Sequence, residues 1–185
     1  MSNCLNYHCD DVLTTYLEND CGYIVPGGSN QAVLFECNAT TYDYTNAAQI
    51  NADLTAHRAI KITNCSFDIP LPSAQKITSK VPCRGSYVST YDRTINYYNP
   101  NVSAVNDVLH NSIARGHQFG AILLYECGAN AAEIGQCTLI DSTVTFSGGR
   151  VLPNNTKEEQ RYEFVGEWED LNGPSIVTTP PGIFT

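Results

Sequence analysis

The stretch Arg161–Asp170, RYEFVGEWED, constrains this chain more than any other. On an extended backbone Tyr162, Phe164 and Trp168 fall on one side, and Arg161, Glu163, Val165, Glu167 and Glu169 on the other. Side chains alternate across a strand, so a segment of this pattern belongs to a sheet with one packed face and one wet face. Further strand-like segments follow. QAVLFEC (31–37) has the apolar density and length of a strand, and FGAILLYEC (119–127) and QCTLIDSTVTF (136–146) share that character. In IKITNCSFDIP (60–70), Ile60 and Ile62 take even positions, whereas Cys65, Phe67 and Ile69 take odd ones. The phase changes at Thr63 and Asn64, which is what a β-bulge produces. The longest strand candidate is CRGSYVSTYDRTINYY (83–98), half-polar on both faces and therefore not expected between two layers. PLPSAQ (70–75) reads as extended linker, and the pairs Gly27-Gly28 and Gly148-Gly149 as turn punctuation.

One helix stands out. Val102, Val105, Val108, Leu109 and Ile113 recur at helical spacing, Ser103 suits an N-cap, and Gly116 suits a C-terminal stop. The spacing predicts a helix over about 103–115, with a stripe narrow enough to place it on the outside of a sheet. TYDYTNAAQINADLTAHRA (41–59) is ambiguous between a loop and a poor helix. Residues 1–30 read as an N-terminal arm with local structure, including a short helix over 10–17 opened by Asp10 and Asp11. The tail GPSIVTTPPGIFT (173–185) holds too much proline and too little periodicity for a core, and reads as an extended C-terminal arm. The sum is a mainly β (α+β) domain over 31–172, a β-sandwich or partly closed barrel with one flanking α-helix and extended terminal arms.

Ten Lys and Arg stand against 19 Asp and Glu, so the net charge is −9. That balance argues against sequence-independent nucleic-acid binding, which depends on basic residues neutralising phosphates. It is compatible with a protein that lets DNA pass without holding it. No segment approaches the apolar length of a membrane span. The start, MSNCLNYHCDD, lacks a basic region followed by an apolar stretch, so a secretory signal is not expected and a complete soluble product is.

Eight cysteines lie at positions 4, 9, 21, 37, 65, 83, 127 and 137, with no CxxC pair, so the strong zinc pattern is missing. Cys4, His8 and Cys9 cluster, but buried thiols are the expected state. Cys127 and Cys137 flank a loop between two strands, which leaves a disulfide across a hairpin open. The sequons at Asn38, Asn64, Asn101 and Asn154 carry no weight without secretion.

No nucleophile elbow, phosphate loop, dinucleotide fingerprint or zinc-protease helix occurs. His110 and His117 are seven apart, the wrong spacing for joint ligation, and read as a surface helix histidine and a loop histidine. Glu163 and Glu167 share a strand face about 13 Å apart, too far for two carboxyls acting on one glycosidic bond. Neither an enzyme nor a bound cofactor or metal is expected.

The order of elements in the back half carries a resemblance. A long half-polar strand (85–98) leads into the helix (103–114) and a strand hairpin around Cys127 and Cys137. VTFSGGRVLP (144–153) comes next, then the closing strand EFVGEWED (163–170) before Pro174. This order is similar to that of the tail tube (major tail) proteins of long-tailed bacteriophages and related contractile systems. The resemblance implies a β-sandwich with a flanking helix that forms hexameric rings stacked into a hollow tube. It implies a virion structural protein, assembled in the bacterial host cytoplasm, whose partners are copies of itself, other virion proteins, and genomic DNA in transit. Within that frame Glu163, Glu167, Glu169 and Asp92 are the candidates to face the channel, where an acidic wall repels DNA. Ile176, Val177, Ile183 and Phe184 are the candidates for an arm reaching another subunit.

Three alternatives stay open. The chain suits another virion position: a capsid decoration, a head–tail connector or a tail terminator. It also suits a secreted, disulfide-bonded binding module with its sequons used. A cryptic hydrolase would need Asp10, Asp92 or His110 to converge in a pocket.

Overall fold

A computed structural model describes residues 29–77, 87–126, 136–153 and 159–184. Strands β1 (Ser29–Glu36), β2 (Ala59–Ile62), β3 (Ser66–Asp68), β4 (Ser73–Ile77) and β5 (Tyr87–Asn99) are followed by β6 (Gln118–Glu126) and β7 (Gln136–Ile140). The last three are β8 (Val144–Val151), β9 (Arg161–Asp170) and β10 (Ser175–Thr178). Helix α1 (Ala47–Thr55) precedes β2, and α2 (Ala104–Ala114) joins β5 to β6.

The pairings run in a circuit. β1 pairs with β6, β6 with β8, β8 with β9, β9 with β5, β5 with β3, and β3 returns to β1, every pair antiparallel. The two corners are bent strands. β2 and β3 are one extended run broken at residues 63–65, where Asn64 takes a φ of 53°. The first half pairs with β1, and the second crosses to β5. The phase slip at Thr63 and Asn64 has this cause: Ile60, Ile62, Cys65 and Phe67 all point into one interior despite their change of parity. β7 and β8 form the second corner, since β6 pairs with β7 along one half and with β8 at its start. Strands that change sheet at bends are how a sandwich closes toward a barrel.

Two cores result. Inside the circuit, Leu34, Phe67, Ile95, Tyr97, Phe119, Phe146, Phe164 and Trp168 pack with Leu109 and Ile113 of α2. Outside β1, β6 and β7 a second core forms from Val33, Phe35, Leu123 and Leu139, covered by Ile50 of α1 and by Ile183 and Phe184. β1 and β6 are therefore apolar on both faces, and β9 on one.

One ambiguity is resolved and three readings need correction. Within the segment 41–59, Ala47–Thr55 form α1, capped by the Asn46 side chain, which accepts from the Ala48 and Gln49 amides. Ser73–Gln75 are not linker but belong to β4, which pairs with the first half of β5. Gly148 and Gly149 lie within β8 rather than a turn. Gly148 has a φ of +146°, and a Cβ there would sit 2.2 Å from the Glu163 carbonyl oxygen, so the close approach of β9 demands glycine. The tail is not a free arm. Ser175–Thr178 add to β7 as an edge strand, and Phe184 stacks on Tyr125 with centroids 5.0 Å apart. The helix expected over 10–17, the Cys4–His8–Cys9 cluster and Cys127 lie outside the described residues.

Candidate functional site

The acids singled out from the sequence fall on the wet face of β3, β5, β8 and β9. Alternation sets it. Ile95 and Tyr97 of β5 and Tyr162, Phe164 and Trp168 of β9 are buried in the interior, so their neighbours in sequence face out. Register then aligns the outward residues across strands. Glu169 stands opposite Asp92, Glu167 opposite Thr94, Val165 opposite Asn96 and Glu163 opposite Tyr98. β3 adds Asp68 opposite Asn96, and β8 adds Thr145 opposite Glu167.

Asp68, Asp92, Glu163, Glu167 and Glu169 thus share one face that extends about 20 Å along the strands. On β3, β5 and β9 its one basic residue is Arg161, which pairs with Glu163. Gln75 of β4 donates to Asp92, and Asn96 donates to Asp68 at 3.5 Å. Glu167 and Glu169 are exposed. Like charges held this close sustain a negative potential that extends beyond the surface. All four acids singled out from the sequence lie here, brought together by the β5–β9 register.

The four tail residues divide. Ile176 is 69% exposed on the outer side of β10, and Val177 is half-buried. Ile183 and Phe184 are 3% and 6% exposed within this chain's own second core, so they are not available as an arm.

Both histidines are buried: His117 lies in the expected connection between α2 and β6, whereas His110 is not at the surface. His110 lies between aromatic rings, its plane parallel to Tyr162 with centroids 3.7 Å apart. Its Nδ1–H donates to the Asn106 carbonyl at 2.7 Å, which leaves Nε2 to accept from the Tyr97 hydroxyl at 2.8 Å. The Tyr97 oxygen in turn accepts from Asn99 Nδ2 at 2.7 Å. Asn106 donates to the Asn101 carbonyl, whose residue caps residues 63 and 64 through their carbonyls. Burial pushes the His110 imidazole down to about 4, against smaller upward pulls from the Asn106 carbonyl and the Asp107 charge. His117 Nε2 meets Glu36 Oε1 at 2.8 Å, with both side chains enclosed.

Asp53 is the other buried charge. Its carboxylate accepts from the amides and hydroxyls of Thr40 and Thr41, at 2.7–2.9 Å, and from Arg58 Nε at 2.8 Å. Burial pushes this carboxyl up, but the Thr41 and Thr40 hydrogen bonds outweigh it and hold it below the ordinary value. The pattern that carries the α2 network was present in the sequence: Asn106, Leu109, His110 and Ile113 follow helical spacing, and all four are buried. An apolar-only count misses it.

His110, His117 and Asp53 each have hydrogen-bond partners within the chain. Asp92 lies on the wet side of β5, opposite the face that carries Tyr97 and His110, so the two do not converge; Asp10 is outside the described residues. Among the described residues no three metal-ligating side chains gather, and no helix is long and apolar enough to cross a membrane. Comparison of the chain with family models, curated proteins and solved structures returned no match.

Proposed function

We propose that the chain is a virion structural protein, a tail tube subunit that polymerises as stacked homo-oligomeric rings around a channel for DNA. The observation that carries this reading is the wet acidic face. Five carboxylates lie on a sheet whose reverse side is core, so the face is held rigidly and does not depend on loops. A conduit wall with that charge keeps phosphates at a distance and leaves DNA free to slide. The sheet edges support self-assembly. Among the described residues β4 pairs only with β5, β10 only with β7, and β2 only with β1. All five β4 residues are exposed. Edges of this kind invite another strand, and copies of the chain supply one. The protein acts without cofactor, in the virion, after assembly in the bacterial cytoplasm.

Negative-stain microscopy and sedimentation of the purified protein test the proposal. Long hollow tubes are expected. Single rings or monomers indicate a terminator, connector or decoration position instead, and four disulfides in a thiol count under denaturing conditions favour a secreted module. Charge reversal by Glu167→Lys with Glu169→Lys, both exposed, should leave the subunit folded, since exposed substitutions cost about half a kcal/mol or less. DNA ejection by the assembled particle should slow; unchanged ejection means these side chains do not line the channel.

A further inference from the structure

The short connection 171–174 between β9 and β10 holds the sole Asn-Gly pair of the chain, Asn172 and Gly173. Asn172 is exposed. Its backbone N–H donates to Asp170 Oδ1 at 2.6 Å, which fixes the main chain entering the connection. Among the described residues its side-chain amide has no hydrogen-bond partner, and neither has the backbone N–H of Gly173. Gly173 has a φ of +77°, and the place of a Cβ is taken by the Arg93 guanidinium, whose terminal nitrogens would stand 2.7 and 3.0 Å from it. Glycine is therefore required here, and no side chain shields its nitrogen. The guanidinium also sets a cation against the peptide unit, which favours negative charge on that nitrogen. An unpaired main-chain nitrogen thus follows a solvent-exposed carboxamide whose Cγ is within the same residue pair.

We propose that Asn172–Gly173 is a self-modification site, at which the folded chain converts asparagine to isoaspartate and aspartate through a succinimide. The Gly173 nitrogen bonds to Asn172 Cγ. Its proton and the side-chain NH₂ leave as ammonia, and the ring closes. Water then adds to either ring carbonyl and the ring opens. One opening gives aspartate; the other gives isoaspartate, whose main chain runs through Cγ and is one methylene longer. Water is the only co-reactant, and no electrons change hands. Each conversion adds one negative charge. The longer link falls between β9 and β10, and β10 is a short edge strand that pairs with β7 alone among the described residues. The added length displaces Gly173 from its seat under Arg93 and loosens the start of β10. This chemistry is independent of self-assembly.

The full chain is incubated at mildly alkaline pH under conditions where circular dichroism stays native, beside a synthetic peptide spanning 169–176. Peptide mass mapping locates the exchange of NH₂ for OH, and enzymatic methylation of isoaspartate counts that product. Conversion should be confined to peptides holding Asn172, should yield isoaspartate as well as aspartate, and should run within about tenfold of the free peptide, a barrier difference of about 1.4 kcal/mol or less. Asn172→Gln, which cannot close the same ring, should keep its mass at this site. The isoaspartyl form, separated by ion exchange, should melt below the starting chain. A folded chain that keeps Asn172 intact while the peptide converts overturns the site, as does conversion that appears only in urea. Aspartate without isoaspartate overturns the succinimide route. A separated isoaspartyl form that melts with the starting chain overturns the effect on β10.

Discussion

Acid should loosen this protein through His110 in a window that opens above the carboxylate range. His110 is neutral in the folded chain because its ring is stacked between aromatics and its Nε2 accepts from the Tyr97 hydroxyl. Protonation puts a hydrogen on Nε2, and the hydroxyl must turn its own hydrogen away while a charge stays enclosed. The folded imidazole titrates at about 4, against 6.5 for the free side chain. Between those values the unfolded chain binds more protons than the folded one, so stability rises with pH across that window. The difference is about 2.5 units, or roughly 3 kcal/mol at 1.36 kcal/mol per unit, present in full above pH 6.5 and lost by about pH 4. Carboxylates titrate over the lower part of the same range, so His110→Phe is the reference. Phenylalanine keeps the stack but removes the acceptor of the Tyr97 hydroxyl and one of the donors to the Asn106 carbonyl, at a cost of about 2 kcal/mol at pH 7. Urea unfolding at several pH values should therefore give two curves that cross, with the wild type more stable at pH 7 and the variant more stable near pH 4. Parallel curves across the window would refute the reasoning, because His110 would then carry the same proton in both states.

Asp53→Asn replaces one oxygen of a carboxylate facing five donors with an NH₂ group. It should cost about 2–3 kcal/mol at pH 7, or roughly 5–10 °C in melting temperature. Because the folded carboxyl titrates below its free value of 3.8, that stability exists above 3.8 and is lost as pH falls through the folded value; the gap between the two melting curves should close there. Gly148→Ala forces a Cβ onto the β9 backbone and should prevent soluble expression or cost on the order of 3 kcal/mol. Gly149→Ala, with open space at the same place, should stay within about half a kcal/mol in the same denaturation assay. Phe184→Ala should lower the stability of the monomer by about 3 kcal/mol; a melting temperature equal to wild type would restore the tail as an arm.

Much of the fold was legible because it rests on local alternation. Tyr162, Phe164 and Trp168 announce the inward side of β9, and the slip at Thr63 and Asn64 announces the corner between β2 and β3. The helix was legible from Ser103 and Gly116. What escaped depends on partners distant in sequence. Ile183 and Phe184 form too short an apolar signal to suggest burial, and only the outer faces of β1 and β6 make a place for them. His110 reads as a surface residue until Asn106 and Tyr97 supply its hydrogen bonds. The acidic face was half legible: parity puts Glu163, Glu167 and Glu169 together, whereas Asp92 joins them through a register fixed between strands about 70 residues apart.

The two halves of the circuit are finished differently, and that difference limits how copies can meet. Among the described residues, the outer surface of β1, β6 and β7 is covered by α1 and by the tail. The outer surface of β3, β5 and β9 is wet and of one sign, so two such faces repel when brought together. Under the proposed self-assembly, lateral growth would run through the edges, at β4, β10 and β2, where backbone pairing is available without burying the acidic face. Arranged about a closed axis, subunits joined at their edges place their wet faces all inward or all outward. The proposed tube corresponds to the inward arrangement, in which a solvent-filled bore would relieve the mutual repulsion of the carboxylates and turn the residual field on whatever passes through.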